Sequence, residues 1–287
     1  MDELPGPEKI CKNCDTEFVG HFCPNCGQSV RELDQPFNVL IIDLLGNMWA
    51  FDTRVVKTIK SLLVQPGQMA LDYVAGKRAR YMPPFRLYIF ISFFFFLLLN
   101  ISTSRVLKDD IKISKDSSIV IKGSSDTNDK QTDKNISDKD VTKGKEILGN
   151  INENKAYYTS RFISLLSWSL FILMPFYSFL LWVLFRKKQK HFLAHFIFSI
   201  NQHAFLFLLF IILLSVNLIF PNKDISPESW ILLLYPIYVV IGGRTLYKKS
   251  WISTTLRIML AHFIYLLIVT VAIGIIFYFT FSKALAS

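Results

Sequence analysis

The stretch Phe85-Arg-Leu-Tyr-Ile-Phe-Ile-Ser-Phe-Phe-Phe-Phe-Leu-Leu-Leu-Asn-Ile101 decides the fold class of this chain. It shows neither the period of a helix half-buried in a soluble core nor the alternation of a strand. It is apolar nearly all round, and at about 1.5 Å per residue some 20 such residues cross a bilayer interior of about 30 Å. Four further runs of this kind follow, at about 161–185, 195–220, 230–246 and 255–281. With 26 Phe and 52% apolar residues, the chain reads as an all-α integral membrane protein of about five spans, the first being 85–101. The fourth run holds Pro236 and Gly242-Gly243 and is the weakest, since such residues also permit a re-entrant turn. Pro175 in the second reads as a simple kink.

The net charge of +10 does not mark a nucleic-acid surface. Basic and acidic side chains nearly cancel in residues 1–90 and again in 102–158. The excess comes from Arg186, Lys187, Lys188 and Lys190, and from Arg244, Lys248, Lys249 and Arg257, in short connections without acidic neighbours. That is the positive-inside pattern. It places both connections and the amino end in the cytosol, residues 102–158 outside as a polar, largely flexible loop, and the carboxyl end outside. Within that loop, the alternation of Ile111-Lys-Ile-Ser and Ile119-Val-Ile-Lys suits a small hairpin. The amino end is polar with no apolar signal segment, so the first span is expected to direct insertion.

Ahead of the spans, Cys11-Lys-Asn-Cys14 and Cys23-Pro-Asn-Cys26 use every cysteine of the chain. Two C-x-x-C pairs at this separation predict a zinc ribbon over residues 1–34, with Zn2+ held by Cys11, Cys14, Cys23 and Cys26. Four thiolates leave no open position, so the site is structural. It folds a segment too short to bury a core of its own. Thiols kept for a metal fit a reducing cytosol. Gly27 suits the tight turn behind the second pair, and Gly20 the return between them.

Residues 35–84 read as cytosolic amphipathic helices. Phe37, Leu40, Ile41, Leu44, Leu45 and Met48 form one stripe. A second helix, with Asp52 as its N-cap, turns Val55, Val56, Ile59, Leu62 and Leu63 inward and Arg54, Lys57 and Lys60 outward. Gln65-Pro66-Gly67 breaks it, and a third, short helix runs to a C-cap at Gly76. The basic cluster before the first span suggests contact with anionic lipid head groups through Lys77, Arg78, Arg80 and Arg86.

Five segments carry a likeness to a known family: Phe22-Cys23-Pro-Asn-Cys26-Gly27-Gln28, Phe51-Asp52-Thr-Arg54, Leu63-Val-Gln-Pro66-Gly67, Tyr73-Val-Ala-Gly76-Lys77-Arg78-Ala-Arg80-Tyr81 and Pro83-Pro84-Phe85-Arg86-Leu-Tyr88. The run from Gln65 to Tyr88 is the most specific. In these residues the chain resembles a bacterial family catalogued as domain of unknown function 3667. The likeness continues through His195-Phe-Ile-Phe-Ser and Asn201-Gln-His203-Ala-Phe205, and departs from the pattern at Asn201, where the resemblance implies a histidine. It implies a ribbon joined to a multi-span region of the bacterial inner membrane, and no activity.

Within the apolar runs the polar candidates are His195, Asn201, Gln202, His203 and His262. His191 and His195 have ligand spacing on a helix, yet no carboxylate completes a site, because spans two to five contain no Asp or Glu. The same lack excludes a Ser-His-Asp triad or a carboxylate pair there and counts against a cation-coupled transporter. Asp43, Asp52 and Asp72 read as caps or solvated faces. The expectation is therefore a non-enzymatic adaptor or sensor that presents its ribbon to a cytosolic protein. The alternative is a small transporter or channel lined by the polar residues of span three. A lipid-directed enzyme lacks a nucleophile or base.

Overall fold

A computed structural model of the chain describes residues 9–29, 54–121, 154–220 and 227–286. Strands β1 (Lys9–Ile10) and β2 (Glu17–Phe18) pair antiparallel, Lys9 opposite Phe18. Helices α1 (Val55–Val64), α2 (Gln68–Val74), α3 (Pro84–Ile121), α4 (Lys155–Phe185) and α5 (Phe192–Ile219) follow. A 3₁₀ turn (Pro227–Leu233) then leads into α6 (Leu234–Tyr247), and α7 (Trp251–Ala286) is the last described element. The helix expected over 37–48 lies outside the described residues, as do Asp43 and Asp52.

Among the described residues, five segments are helical, long and apolar enough to cross a membrane: Pro84–Val106, Lys155–Phe185, Phe192–Ile219, Trp230–Tyr247 and Trp251–Ser282. Their outer faces leave Phe93, Phe176, Phe179, Leu256, Phe263 and Phe277 each more than half exposed. Apolar surface on that scale is excluded in water and natural in lipid.

Two details differ from the sequence reading. The helix of the first span continues to Ile121, so the stretch around Ile111 and Ile119 is helical and forms no hairpin. No Pro or Gly interrupts the chain between Pro84 and Gly123, so nothing stops the helix at the end of the apolar run. The fourth span enters as a 3₁₀ turn and becomes α-helical only at Leu234. Pro236 then falls in the first α turn, where its missing N–H leaves no gap. Fourteen α residues and four tighter ones, Trp230–Leu233, reach about 29 Å, enough for a bilayer interior.

The chain divides into two compact units. The smaller holds residues 96–171 and 268–287, where Tyr158 and Phe281 stack with ring centroids 5.1 Å apart. The larger holds residues 1–95 and 172–267 and is organised around α5. Every residue from Leu193 to Phe205 is buried, the signature of a helix enclosed on all sides. Phe85 and Phe95 of α3 meet Phe196 and Phe207, while Tyr238 of α6 stacks on Phe205 at 3.8 Å.

Short α2 buries Met69, Ala70 and Tyr73 and packs on α5 and α6. The fit is backbone to backbone. A Cβ at Gly67, which already has φ +82°, would run into the carbonyl oxygen of Gly242. One at Gly242 would lie 2.7 Å from the Phe198 ring, and one at Gly243 2.5 Å from Ile258. The glycine pair is thus no helix break; it lets neighbours approach α6 from two sides. Helix α2 ends as expected at Gly76 (φ +87°), with the Gly76 and Lys77 amides donating to the Tyr73 and Asp72 carbonyls at 3.1 and 2.8 Å. This is a Schellman cap.

Helix α1 is rotated from its expected pose; among the described residues its N-cap is Arg54. It buries Thr58, Ser61 and Leu62 and exposes Val56, Leu63 and Val64 alongside Lys57 and Lys60. The reason is a hydrogen bond: the Thr58 hydroxyl accepts the Met82 amide at 2.9 Å and donates to the Arg54 carbonyl. That link turns the polar side of α1 toward the chain entering α3.

Gly67→Ala is expected to destabilise the larger unit by more than the about 1–2 kcal/mol that a left-handed alanine costs alone, since the Gly242 backbone must also move. Thermal unfolding in detergent, with Gly274→Ala as the unhindered control, measures this.

Candidate functional site

The two cysteine knuckles repeat one backbone pattern. In the first, the Cys11 amide donates to the Thr16 carbonyl at 2.9 Å and the Asp15 amide to the Cys11 carbonyl at 2.8 Å. In the second, Cys23 bonds Gln28 and Gly27 bonds Cys23 at the same distances. Asp15 and Gly27 hold equivalent left-handed positions, φ 57° and 69°. Each knuckle sits in its own small hairpin, closed by β1–β2 and by a bridge between Phe22 and Ser29.

This doubling brings four sulfurs together, all within 4.8 Å of one another. Cys11 and Cys26 Sγ are 3.5 Å apart, as are those of Cys14 and Cys23. A tetrahedral thiolate site with bonds of about 2.3 Å needs sulfurs about 3.8 Å apart, so the donor set fits a metal ion. The Thr16 hydroxyl and amide lower the Cys14 thiol to about 6, whereas burial pushes Cys11 up to about 11. Cys14 is thus the more readily ionised of the two thiols, and a metal ion bound here would have to displace the Cys11 proton.

The ribbon does not hang free. The Gln28 side-chain amide donates to the Gly76 carbonyl at 2.5 Å, and its oxygen accepts the Arg78 and Ala79 amides at 3.1 and 3.0 Å. One side chain thus satisfies three backbone groups left over by the Schellman turn. Lys12 covers Gly76 closely enough that a Cβ there would lie 2.8 Å from it.

The same turn is held from its other side by Asp72. Read from sequence as a cap or solvated residue, Asp72 is buried. It accepts from Tyr81 Oη at 2.7 Å, Gln68 Nε2 at 2.8 Å and Arg80 at 3.4 Å. Burial, then the bond to Asp72, raises the Tyr81 hydroxyl above its ordinary value. Among the basic residues expected to meet head groups, Lys77 and Arg78 are half-buried, Arg80 is engaged by Asp72, and Arg86 is buried.

Inside the spans, histidines pair with tyrosines. His203 donates through Nδ1 to the Ser199 carbonyl at 2.8 Å, so its Nε2 accepts the Tyr265 hydroxyl at 3.0 Å. By the same reasoning His262 donates to the Ile258 carbonyl and accepts from Tyr235 at 3.1 Å. His195 donates through Nε2 to the Gln189 carbonyl and accepts Tyr247 at 2.9 Å. Tyr177 donates to Gln202 Oε1 at 2.8 Å and sits 3.2 Å from His262 Nδ1. Both nitrogens of each of these histidines are used. His191 lies exposed at the start of α5, so the i, i+4 pair forms no metal site. Two buried atoms of this layer have no partner: Asn201 Oδ1 and Gln202 Nε2.

Residues 52–96 match the family described as Protein of unknown function (DUF3667). The match takes in α1, α2, the Schellman turn and the start of α3, and does not reach the cysteines. No curated protein and no solved structure matches the chain. The DUF3667 segment is thus the part whose hydrogen bonds run both to the ribbon, through Gly76, Arg78 and Ala79, and within itself, through Asp72 and Thr58.

The tyrosine partners 177, 235, 247 and 265 were not singled out from sequence. Their signal was a hydroxyl within an apolar run, which lipid does not satisfy. Gln28 was visible only as the end of a knuckle motif.

Wild type is expected to carry one metal ion per chain and Cys23→Ser with Cys26→Ser to carry none, read by elemental analysis of purified protein. Gln28→Ala should keep the metal yet lose about 2–3 kcal/mol of docking. Faster amide hydrogen exchange confined to Arg78 and Ala79 would report it.

Proposed function

We infer that this chain is a multi-pass protein of the bacterial inner membrane that uses a structural zinc ribbon as a cytosolic adaptor or sensor head, coupled to its membrane bundle. The Gln28 clamp carries this reading. A ribbon meant only to anchor the amino end has no need of three hydrogen bonds to the turn between α2 and the first span. Zinc is the metal that four closed thiolates and a d¹⁰ ion with no geometric preference of its own suit best.

Orientation follows from charge. The ribbon rests on residues 76–79, and α2 on α5 and α6 near Phe198 and Gly242, so one end of the larger unit gathers the ribbon and the basic connections. The positive-inside rule assigns that end to the cytosol. Exposed Val56, Leu63 and Val64 beside Lys57 and Lys60 support α1 as a helix lying on an anionic leaflet.

The ribbon also leaves Ile10 and Phe22 each 64% exposed. On so small a unit, two large apolar side chains in water are the chemistry of a protein contact. In-cell crosslinking with mass spectrometry tests it, comparing wild type with Phe22→Asp at matched membrane abundance. Phe22→Asp leaves all four thiols and Gln28 in place, and it should lose a cytosolic partner that the Cys23→Ser, Cys26→Ser variant also loses. An unchanged partner list in both variants overturns the adaptor reading.

The unpartnered Asn201 and Gln202 atoms favour a second reading, a polar solute path along α5. In that case His203→Ala abolishes a flux in proteoliposomes without altering abundance. Equal flux in both proteins removes it.

A further inference from the structure

The connection between α6 and α7 concentrates positive charge around a cavity. Ile241, Arg244, Thr245, Lys248, Lys249 and Trp251 line a space of about 540 Å³. The Arg244 guanidinium sits 4.2 Å from the centre of the Trp251 ring, which fixes both. Among the described residues, α4 to α7 bring no carboxylate, because the chain has no Asp or Glu between Glu153 and Asp224 or after Glu228. Asp72, in the adjoining cavity beyond Ile241 and Thr245, is already engaged by Tyr81, Gln68 and Arg80. Partial desolvation, together with Arg257, Lys188 and Lys187 nearby, lowers the Lys249 ammonium.

Backbone geometry adds an independent observation. Lys248 caps α6 in the left-handed region, φ +48° and ψ +46°. Glycine is the residue that fits this position without strain. The start of α7 contributes the positive end of a long helix at the same place.

What continues from this cluster decides the ligand class. Ile252, Leu256, Met259, Phe263 and Leu266 recur on one face of α7 and are each 62–75% exposed. They form an apolar track of about 21 Å leading away from the cations. In a bilayer acyl chains cover this face, so the anion that reaches the cations at its end is a lipid head group.

We propose that the α6–α7 connection binds an anionic phospholipid, its phosphate held by Arg244, Lys248 and Lys249 and its acyl chain lying along the exposed face of α7 beyond Trp251. Trp251 marks the head-group level. None of its three cations is among Lys77, Arg78, Arg80 and Arg86, and it does not depend on what the ribbon does.

Native mass spectrometry of the full chain, released from nanodiscs of mixed phosphatidylglycerol and phosphatidylcholine, tests this. Wild type should retain phosphatidylglycerol over phosphatidylcholine, and Lys249→Gln should reduce that retention about fivefold. Lys248→Gly should reduce it similarly while leaving the melting temperature unchanged or raised, an outcome that a purely structural role for Lys248 does not produce. Lys77→Gln should retain the lipid as wild type does. Equal retention of the two lipids, or loss in Lys77→Gln alone, overturns the proposal. Displacement of the bound lipid by millimolar inorganic phosphate would assign the cations to a free anion and overturn it as well.

Discussion

The larger unit depends on two glycines touching. Gly67 and Gly242 allow the backbone entering α2 to rest on the backbone of α6, at a separation where any Cβ collides. Helix α2 has seven residues, too few to be stable in isolation, so its existence is a consequence of that contact and of the burial of Met69, Ala70 and Tyr73. Once α2 is placed, the Schellman turn at Gly76 fixes where Lys77–Met82 must run. Asp72 and Thr58 then find their partners in Tyr81 and Met82. The turn's remaining backbone groups face the ribbon, where Gln28 meets them.

Much of this was legible in the sequence and some of it was not, for physical reasons. Apolar runs of bilayer length announce spans whatever their packing, and two C-x-x-C pairs announce a thiolate cluster whatever its surroundings. Glycine after a short helix announced the cap at Gly76. The rotation of α1 was hidden because amphipathic periodicity assumes that water lies on the outer side. Here Val56, Leu63 and Val64 form the exposed side, and Thr58 together with Leu62 sets the buried face. Asp72 was hidden because its three partners come from its own helix, from the turn and from the chain entering α3, a convergence that no spacing rule records. The Gly242-Gly243 pair looked like a helix break because glycine has two uses, flexibility and close approach, and only the neighbours distinguish them.

The polar layer of α5 follows from the lack of acids in the spans. With no carboxylate to stabilise an imidazolium, His195, His203 and His262 are best kept neutral. A neutral imidazole needs one acceptor and one donor. Each histidine has a backbone carbonyl for its N–H and a tyrosine hydroxyl for its lone pair. Such pairs tie α5 to α6 and α7 without placing a charge in hydrocarbon. They also use up the nitrogens, which removes metal binding as a role for this layer and leaves Asn201 and Gln202 as its unsettled members.

Magnitudes order the events that a change at the metal site would set off. Among the described residues the ribbon has little core beyond Cys11, Phe18 and Cys23, so with a metal bound its fold would follow the metal. Losing the metal disperses Gln28 and with it three hydrogen bonds, about 3 kcal/mol at a net ~1 each. Helix α2 keeps the burial of Met69, about 2 kcal/mol, and of Tyr73, a comparable area, as well as the interlocked glycine contact. The weaker link therefore opens first. A ribbon without its ion leaves the turn at 76–79 while α2 stays on α5 and α6. The contact can thus be broken at the surface without unfolding the bundle that carries it, which is what the proposed sensor role would require.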